Sequence, residues 1–402
     1  MHILVINCGS SSIKFRLYDT QETLLLAGEI SRIGEAEATT RMRHYHVPTE
    51  VKEQTTTSAV ADHAAAMQQI VAFLENSGVL TPWQSLTAIG HRVVHGGERF
   101  QAPTLIDDDV VEGIRAMTPL APLHNPVNLL GIEAMRRLCP HVPQVAVFDT
   151  AYFSTLSAHA YRYALPEELY RHHQVRRYGF HGTSHQHVAQ RAAEVLQQPL
   201  DKLRLITLHL GNGASAAAIR NGICIDTSMG MSPLEGLIMG TRCGDLDPAI
   251  PFYLARVLNM DCNKVEALLH HNSGLKGLCG TQDMRDVHQM ADEGNEQARL
   301  AIEMFCYRIA KYIGAYYVAL GGLDALVFSA GIGEHDPLIR EKICSQLGAL
   351  GIVINQQHNR SNSSDGFAIH AQNDRCKVLV IPTNEELEIA RETLSIINLR
   401  KL

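Results

Sequence analysis

Gly9-Ser10-Ser11-Ser12, with Lys14 two residues on, gathers three hydroxyls, an ammonium and a run of backbone N–H groups into a small stretch. Phosphate oxygens need such a donor set. The apolar run at 3–6 and the alternation of Ile13-Lys14-Phe15-Arg16-Leu17-Tyr18 predict a strand, a tight loop and a second strand. A plain Ser-rich hairpin turn has the same residues, so the stretch alone leaves both readings open. It is not a Walker A loop. Gly9 and Lys14 are five apart, but the second Gly and the Ser or Thr after Lys are missing.

A similar pattern follows the predicted strand 203–210. Gly211-Asn212-Gly213-Ala214-Ser215 leads into 216–220, and Gly213-Ala214-Ser215 echoes Gly9-Ser10-Ser11. Two phosphate-type hairpins suggest a duplicated architecture with a nucleotide between two halves. Ala330-Gly331-Ile332-Gly333-Glu334 reads as a Gly-rich turn between a strand and a helix, where a ligand can approach the backbone closely. Asp149 ends a buried strand, where an ionised group needs a partner or a metal. Glu385 falls in a helix first turn, where negative charge is favourable whatever else it does. Taken alone, Arg92 and Arg242 suit surface salt bridges, His181 a satisfied turn histidine and His124 a helix start.

The elements that must position these residues alternate. Helices are predicted over 61–76, 107–117, 126–138 (with Asn125 able to cap it), 185–196, 248–259, 262–271, 284–293, 296–320 and 337–350. A last helix over 386–397 follows the capping-box spacing Thr383-Asn384-Glu385-Glu386. Strands are predicted over 86–94, 144–148, 203–210, 324–329 and 377–381. Residues 20–60 are polar and carry little pattern, and 226–251 form a long Gly- and Pro-containing loop of the kind that is more often functional than idle. Such alternation argues for an α/β nucleotide-binding protein. At 402 residues the chain is too long for one ordinary core, so two domains are expected. It is 46% hydrophobic and 19% charged, and a net charge of −7 argues against a nucleic-acid partner. No stretch reaches the roughly 20 apolar residues a membrane helix needs. No signal peptide is expected, and the nine cysteines form no C-x-x-C pair, which fits a reducing, cytoplasmic setting.

The blocks NCGSSSIKF, HRVVHGGE, PLAPLHNP, VAVFDTAY, RRYGFHGTSH, HLGNGAS, DTSMGMSPLEG, GTRCGDLDP, AGIGE and PTNEE occur in the order, and near the spacing, of the acetate and propionate kinases. The resemblance covers residues 1–392. It implies an α/β protein with two domains of the actin-like ATPase (ribonuclease H-like) duplicated fold and the active site in the interdomain cleft. The N-terminal domain would hold 1–150 plus 385–402, and the nucleotide-binding domain 151–384. The implied reaction is reversible transfer of the ATP γ-phosphoryl group to a short carboxylate, giving an acyl phosphate and ADP. Mg²⁺ (with Mn²⁺ able to substitute) and a homodimer are implied as well.

A carboxylate is already anionic at pH 7, its pKa being about three units lower, so it needs no strong base. The difficulty is bringing two anions together, which makes catalysis chiefly positioning and charge cancellation. By the resemblance, Arg92 binds the carboxylate, Arg242 faces the transferring phosphoryl group, His181 is its hydrogen-bonding companion, and His124 also belongs to the site. Asp149 orients Arg92 and acts toward the metal, with Asn7 and Glu385 as magnesium-side ligands. Ser10, Ser12 and Lys14 hold phosphates. The nucleotide side takes His209, Leu210, Gly211, Asn212 and Gly213, then Asp283, Met284 and Arg285, then Gly331, Ile332, Gly333, Glu334 and His335. Val94, Leu123, Phe180 and Pro233 form the acyl pocket.

A valine at 94 favours acetate, since a smaller residue leaves room for the extra methylene of propionate, an effect of roughly 1–3 kcal/mol. The near alternative is a propionate kinase. A butyrate-type kinase is disfavoured by the bulky pocket, and a non-catalytic ATP-binding switch is the distant alternative. Cys8, Cys243, Gln282 and His335-Asp336 depart from the family's usual residues without removing any group assigned a role.

Overall fold

The structure, a computed structural model, describes residues 2–9, 11–46, 50–80, 86–361, 366–371 and 375–399. The chain divides into two compact units, Met1–Ser154 with Asn384–Leu402, and Thr155–Thr383.

The first unit is built on a sheet of order β5-β4-β3-β2-β1-β6-β8-β7. Its strands are β1 (His2–Gly9), β2 (Ser12–Asp19), β3 (Leu24–Ser31), β4 (Ala38–His46), β5 (Glu50–Ser58), β6 (Ala88–Val93), β7 (Thr104–Leu105) and β8 (Gln144–Phe148). Its helices are α1 (His63–Asn76), α2 (Asp108–Ala116), α3 (Asn125–Leu138) and the C-terminal α15 (Glu385–Leu399). β1 runs antiparallel to β2 and parallel to β6, and β6 is parallel to β8. Both faces of β1 are covered. Leu4, Ile6 and Cys8 join Ile13, Phe15 and Leu17 beneath Met67 and Ile70 of α1, while Ile3, Val5 and Tyr18 cluster with Ile389, Ala390 and Ile397 of α15. That double burial explains the unbroken apolar run at 3–6. Asp62 and Asp107 cap α1 and α2 by accepting from Ala65 N (2.8 Å) and Val110 N (2.9 Å).

Two expectations change here. Residues 20–60 contain β3 and the β4–β5 ribbon, and residues 51–58 are exposed throughout, so no apolar alternation marks them. α3 begins at Asn125, with His124 in the cap position, and the Asn125 amide is bonded elsewhere.

The second unit has a sheet of order β11-β10-β9-β12-β14-β13. Its strands are β9 (Arg204–Leu210), β10 (Ala214–Arg220), β11 (Ile223–Thr227), β12 (Ala325–Ser329), β13 (Phe367–Ala368) and β14 (Lys377–Val380). Its helices are α4 (Ala158–Tyr161), α5 (Glu167–His173), α6 (Gly182–Leu196), α7 (Ala249–Leu258), α8 (Cys262–His271), α9 (Gly274–Cys279), α10 (Met284–Asp292), α11 (Glu296–Leu320), α12 (Ala330–His335), α13 (Pro337–Cys344) and α14 (Gln356–Asn359). β9 pairs antiparallel with β10 and parallel with β12, and β12 is parallel to β14. The strand plan β11-β10-β9-β12-β14 thus repeats β3-β2-β1-β6-β8 of the first unit, and the echoed hairpins occupy equivalent places in the two.

The stretch Gly331-Ile332-Gly333-Glu334-His335 is helix rather than turn. Ala330 takes the left-handed conformation (φ 62°), and the chain enters α12 directly from β12. Between β11 and α7 the chain has neither helix nor regular strand. It crosses itself tightly at Gly236 (φ 109°), where a Cβ would stand 2.5 Å from the Ser228 carbonyl oxygen. Among the described residues no helix is long and apolar enough to cross a membrane.

Candidate active site

In the first unit the candidates converge on Arg92, near the end of β6. Its Nε donates to both Asp149 carboxylate oxygens (3.1 Å each), and its Nη2 donates to Asp149 Oδ2 (2.6 Å). Nη1 donates to Asn7 Oδ1 at 3.3 Å, and Glu385 Oε2 lies 3.9 Å from Nε. The fold explains the meeting. β6 lies between β1 and β8, so the ends of the three strands bring Asn7, Arg92 and Asp149 together, and α15 adds Glu385 from its first turn. The Asp149 side chain is only 1% exposed, and the fork geometry of Arg92 is what an otherwise buried carboxylate requires. Burial opposes the Arg92 charge, but Asp149 and then Glu385 outweigh it and hold its pKa above the ordinary value. Burial, offset by Arg92 and reinforced by Asp149, pushes Glu385 up to about 7.

Among the described residues no group of three or more His, Cys, Asp and Glu could hold a metal ion. The oxygens gathered here are two carboxylates and one amide, a set too small for a protein cage. It does suit Mg²⁺, which usually keeps waters and binds through one or two carboxylates plus substrate phosphates. The raised proton affinity of Glu385 marks a site where added positive charge would be favourable.

The neighbouring loop is held from α3. Asn128 Oδ1 accepts from Val94 N (3.0 Å) and its Nδ2 donates to the Cys8 carbonyl (2.8 Å), tying the end of β6 to β1. Asn125 pairs with both backbone groups of His95, and Thr150 Oγ1 accepts from Gly96 N at 3.0 Å. Val94 is buried and Leu123 exposed. His124 caps α3 through its carbonyl, which accepts from Asn128 N at 3.0 Å. Ser12 pairs with Gly9 across the hairpin, and Lys14 stands opposite Asn7, its Nζ 3.9 Å from Glu29. Ser10 lies outside the described residues.

In the second unit the candidates converge on the β9–β10 turn. His181 sits at the start of α6 in the left-handed conformation (φ 59°). Its ring stacks on His209 at 4.2 Å between centroids, and its Nδ1 is 2.9 Å from Ser215 Oγ. A Cβ on Gly213 would stand 3.3 Å from His181 Nε2 and 3.6 Å from Arg242 Nη1, so both side chains border the same point of the turn. Arg242 Nη1 donates to the Pro233 carbonyl at 3.3 Å. Among the described residues no carboxylate lies within ion-pair distance of Arg242, and burial holds its pKa below the ordinary value. A half-buried guanidinium with no counter-charge is costly unless an anion completes it. Phe180, beside His181, is buried.

The nucleotide-side residues fall in two places. A Cβ on Gly211 would come 3.8 Å from the Ala330 Cβ, so the β9–β10 turn adjoins the start of α12. Asn212 lies against Gly240 and Gln282: its carbonyl accepts from Gly240 N at 2.9 Å, and a Cβ on Gly240 would reach Oδ1 and the Gln282 Cβ. Glu334 Oε1 accepts from Thr383 N at 3.0 Å. Asp283 caps α10 and is engaged by Arg285, which holds its carboxyl down at about 2. That pair is exposed and self-satisfied, with Met284 buried beneath it.

Several residues of the site had no sequence signal. Arg177 Nη2 donates to Glu235 Oε1 and the Tyr163 hydroxyl to Glu235 Oε2, each at 2.5 Å, while Arg177 Nη1 bridges the carbonyls of Thr227, Ser228 and Met229. Arg308 Nη1 donates to the Gly236 and Asp245 carbonyls, and the Tyr312 hydroxyl to Asp245 Oδ2 at 2.8 Å. These groups pin both ends of the loop that carries Pro233 and Arg242. Sequence spacing cannot reveal them, because each partner comes from a distant element.

Comparison with known proteins identifies the family. Residues 2–391 match the model of the acetokinase family. An acetate kinase of Sulfurovum sp. (strain NBC37-1) is 51% identical over 99% of both chains, and one of Helicobacter acinonychis (strain Sheeba) is 50% identical over 98% of both. The crystal structure of Porphyromonas gingivalis acetate kinase superimposes with a TM-score of 0.91 at 40% identity, over 98% of this chain and 99% of that one. A propionate kinase from Francisella tularensis subsp. tularensis SCHU S4 gives 0.92 at 41% identity, with the same coverage. With its two repeated sheets, its arginine-centred carboxylate cluster and its full-length match, this chain belongs to the acetokinase family.

Proposed function

We propose that the protein is an acetate kinase, transferring the γ-phosphoryl group of ATP reversibly to acetate, and less efficiently to propionate. The observation that carries the reading is Arg242, a guanidinium with no counter-charge among the described residues, which borders the same turn as His181 Nε2. A nucleotide switch has no use for a cation set of that kind at its phosphate turn. A phosphotransferase has, because three equatorial oxygens carry the transition-state charge.

In this reading Arg92, held flat by Asp149, orients the acceptor carboxylate, and Val94 bounds its methyl group. Arg242 and His181 Nε2–H take oxygens of the transferring phosphoryl group. The acceptor oxygen attacks phosphorus in line, the P–O bond to ADP breaks, and no side chain needs to remove a proton. Asn7, Glu385 and Asp149 would hold Mg²⁺, which supplies charge neutralisation of the phosphates when bound. Lys14 and Ser12, with Ser10, serve the phosphates. The β9–β10 turn, the α12 start and the 283–285 segment serve the nucleoside. The protein is assigned to the cytoplasm.

A homodimer is part of the same proposal. α7 buries none of its residues and leaves Phe252, Tyr253, Val257 and Leu258 more than half exposed, a face apt for a second copy. Phe252→Asp should yield monomers in sedimentation, and a wild-type protein that sediments as a monomer rejects the assignment.

The first test is kcat/KM for acetate, propionate and butyrate with Mg-ATP. Acetate preference supports Val94 as the specificity wall. Propionate preference keeps the chemistry and moves the determinant elsewhere. Turnover independent of any carboxylate sinks the kinase reading.

A further inference from the structure

Three side chains connect His181 to the interior of the second unit. His181 Nδ1 and Ser215 Oγ are 2.9 Å apart, Ser215 Oγ and His185 Nε2 2.8 Å, and His185 Nδ1 and Thr207 Oγ1 2.7 Å. Ser215, His185 and Thr207 are fully buried. Each hydroxyl has one proton to donate. Burial, then neighbouring His209, holds the pKa of His185 well below its ordinary value, so its ring carries a single N–H.

Those proton counts leave two self-consistent directions. In one, Thr207 donates to His185 Nδ1, His185 Nε2–H donates to Ser215, and Ser215 donates to His181 Nδ1. The proton of His181 then sits on Nε2. In the other, every bond reverses and His181 carries its proton on Nδ1. The reversed chain strands the Thr207 hydroxyl proton, because among the described residues Thr207 Oγ1 has no hydrogen bond besides the one to His185. A buried donor without an acceptor is the more expensive arrangement.

We infer that Thr207, His185 and Ser215 are positioning residues that fix His181 in the tautomer bearing its proton on Nε2, the nitrogen bordering Gly213 beside Arg242. The consequence for catalysis rests on the proposed phosphoryl-binding role of His181. The relay reaches His181 from β9, β10 and α6; His209, from β9, stacks on the ring, and Arg242, from the loop, borders the same point of the turn. A fixed Nε2–H is a donor already aimed where phosphoryl charge develops, with no tautomer exchange needed at each turnover.

The test is a long-range ¹H–¹⁵N imidazole spectrum of the full-length protein, with His181 assigned by its loss in His181→Ala. Wild type should show the Nε2–H pattern. Thr207→Val, nearly isosteric and remote from substrate, and Ser215→Ala should both give a mixture with the Nδ1–H form, while Thr207→Ser restores the wild-type pattern. In parallel kcat should fall about tenfold in Ser215→Ala, with both KM values within about twofold. An Nδ1–H pattern in wild type, or an unchanged Nε2–H pattern in both variants, overturns the relay. If the tautomer shifts but His181→Ala retains full kcat, the relay stands and the phosphoryl role of His181 falls.

Discussion

The two units share a five-strand plan and a hairpin at its start, yet they treat charge in opposite ways. In the first, Arg92 is engaged by Asp149 and Asn7 and lies near Glu385, so its cation is bound before any substrate arrives. In the second, among the described residues, Arg242 donates only to a carbonyl and a thioether. One half is preorganised by its own ion pair, and the other, in the proposed reading, takes its counter-charge from the phosphoryl group. On the proposed roles, a duplicated scaffold would carry a stable orienting device and a destabilised receptor, and the difference lies in side chains rather than topology.

Removing each arginine should expose this contrast most strongly. Arg242→Ala should lower kcat by about 10²–10³ while leaving the thermal midpoint unchanged or higher, since a half-buried charge with no carboxylate partner among the described residues is lost. Arg92→Ala should also abolish most activity, but it takes the guanidinium away from a carboxylate that stays buried and should cost about 3 kcal/mol of stability. Paired calorimetry and initial rates check both, and equal stability losses would erase the distinction.

The carboxylate cluster of the first unit adds a proton-linked step. With Glu385 pushed up to about 7, Mg²⁺ bound there as proposed would have to displace a proton below that pH. Mg²⁺ affinity, read from metal-dependent thermal shifts, should therefore strengthen between pH 6 and 8, and Glu385→Gln should flatten that dependence. A smaller effect is expected where the second unit holds its loop. Glu235→Gln weakens the bonds from Arg177 and Tyr163 and should reduce stability by about 1.5–3 kcal/mol, with a higher KM for acetate. An unchanged KM would detach that clamp from the acyl pocket.

The smallest effect belongs to His288, whose pKa is raised by its hydrogen bond to Asp336 (2.7 Å). A histidine with a raised folded-state pKa stabilises fully below its unfolded value and loses that contribution as pH rises through the folded one. The thermal midpoint should thus drift down across that window by about 1 kcal/mol equivalent, and His288→Gln should remove the drift.

Much of this was legible beforehand, for identifiable reasons. Helix α11 and strand β8 announce themselves through period and burial. Ribbon β4–β5 does not, because residues 51–58 face solvent on both sides. Arg92 and Asp149 were legible as a pair only through the resemblance, since 57 residues separate them and parallel strands alone join them. The clamp of Tyr163, Arg177 and Glu235, and the relay behind His181, left no trace in spacing. Their partners are chosen by the packed fold, and single polar residues in a sequence look alike whether or not they meet. The α12 stretch misleads because two glycines suggest a turn, whereas Ala330, the first residue of the helix, alone takes the left-handed conformation.

The packing of α15 on β1 has a consequence for biosynthesis. Ile3 and Val5 leave the ribosome long before their cover, Ile389 and Ile397. At translation rates of about 5–20 residues per second, that strip of sheet waits on the order of 20–80 s for its own helix. The nascent chain spends that interval with an apolar face open to water, a ready target for chaperones, and a truncation that removes α15 leaves the face uncovered for good.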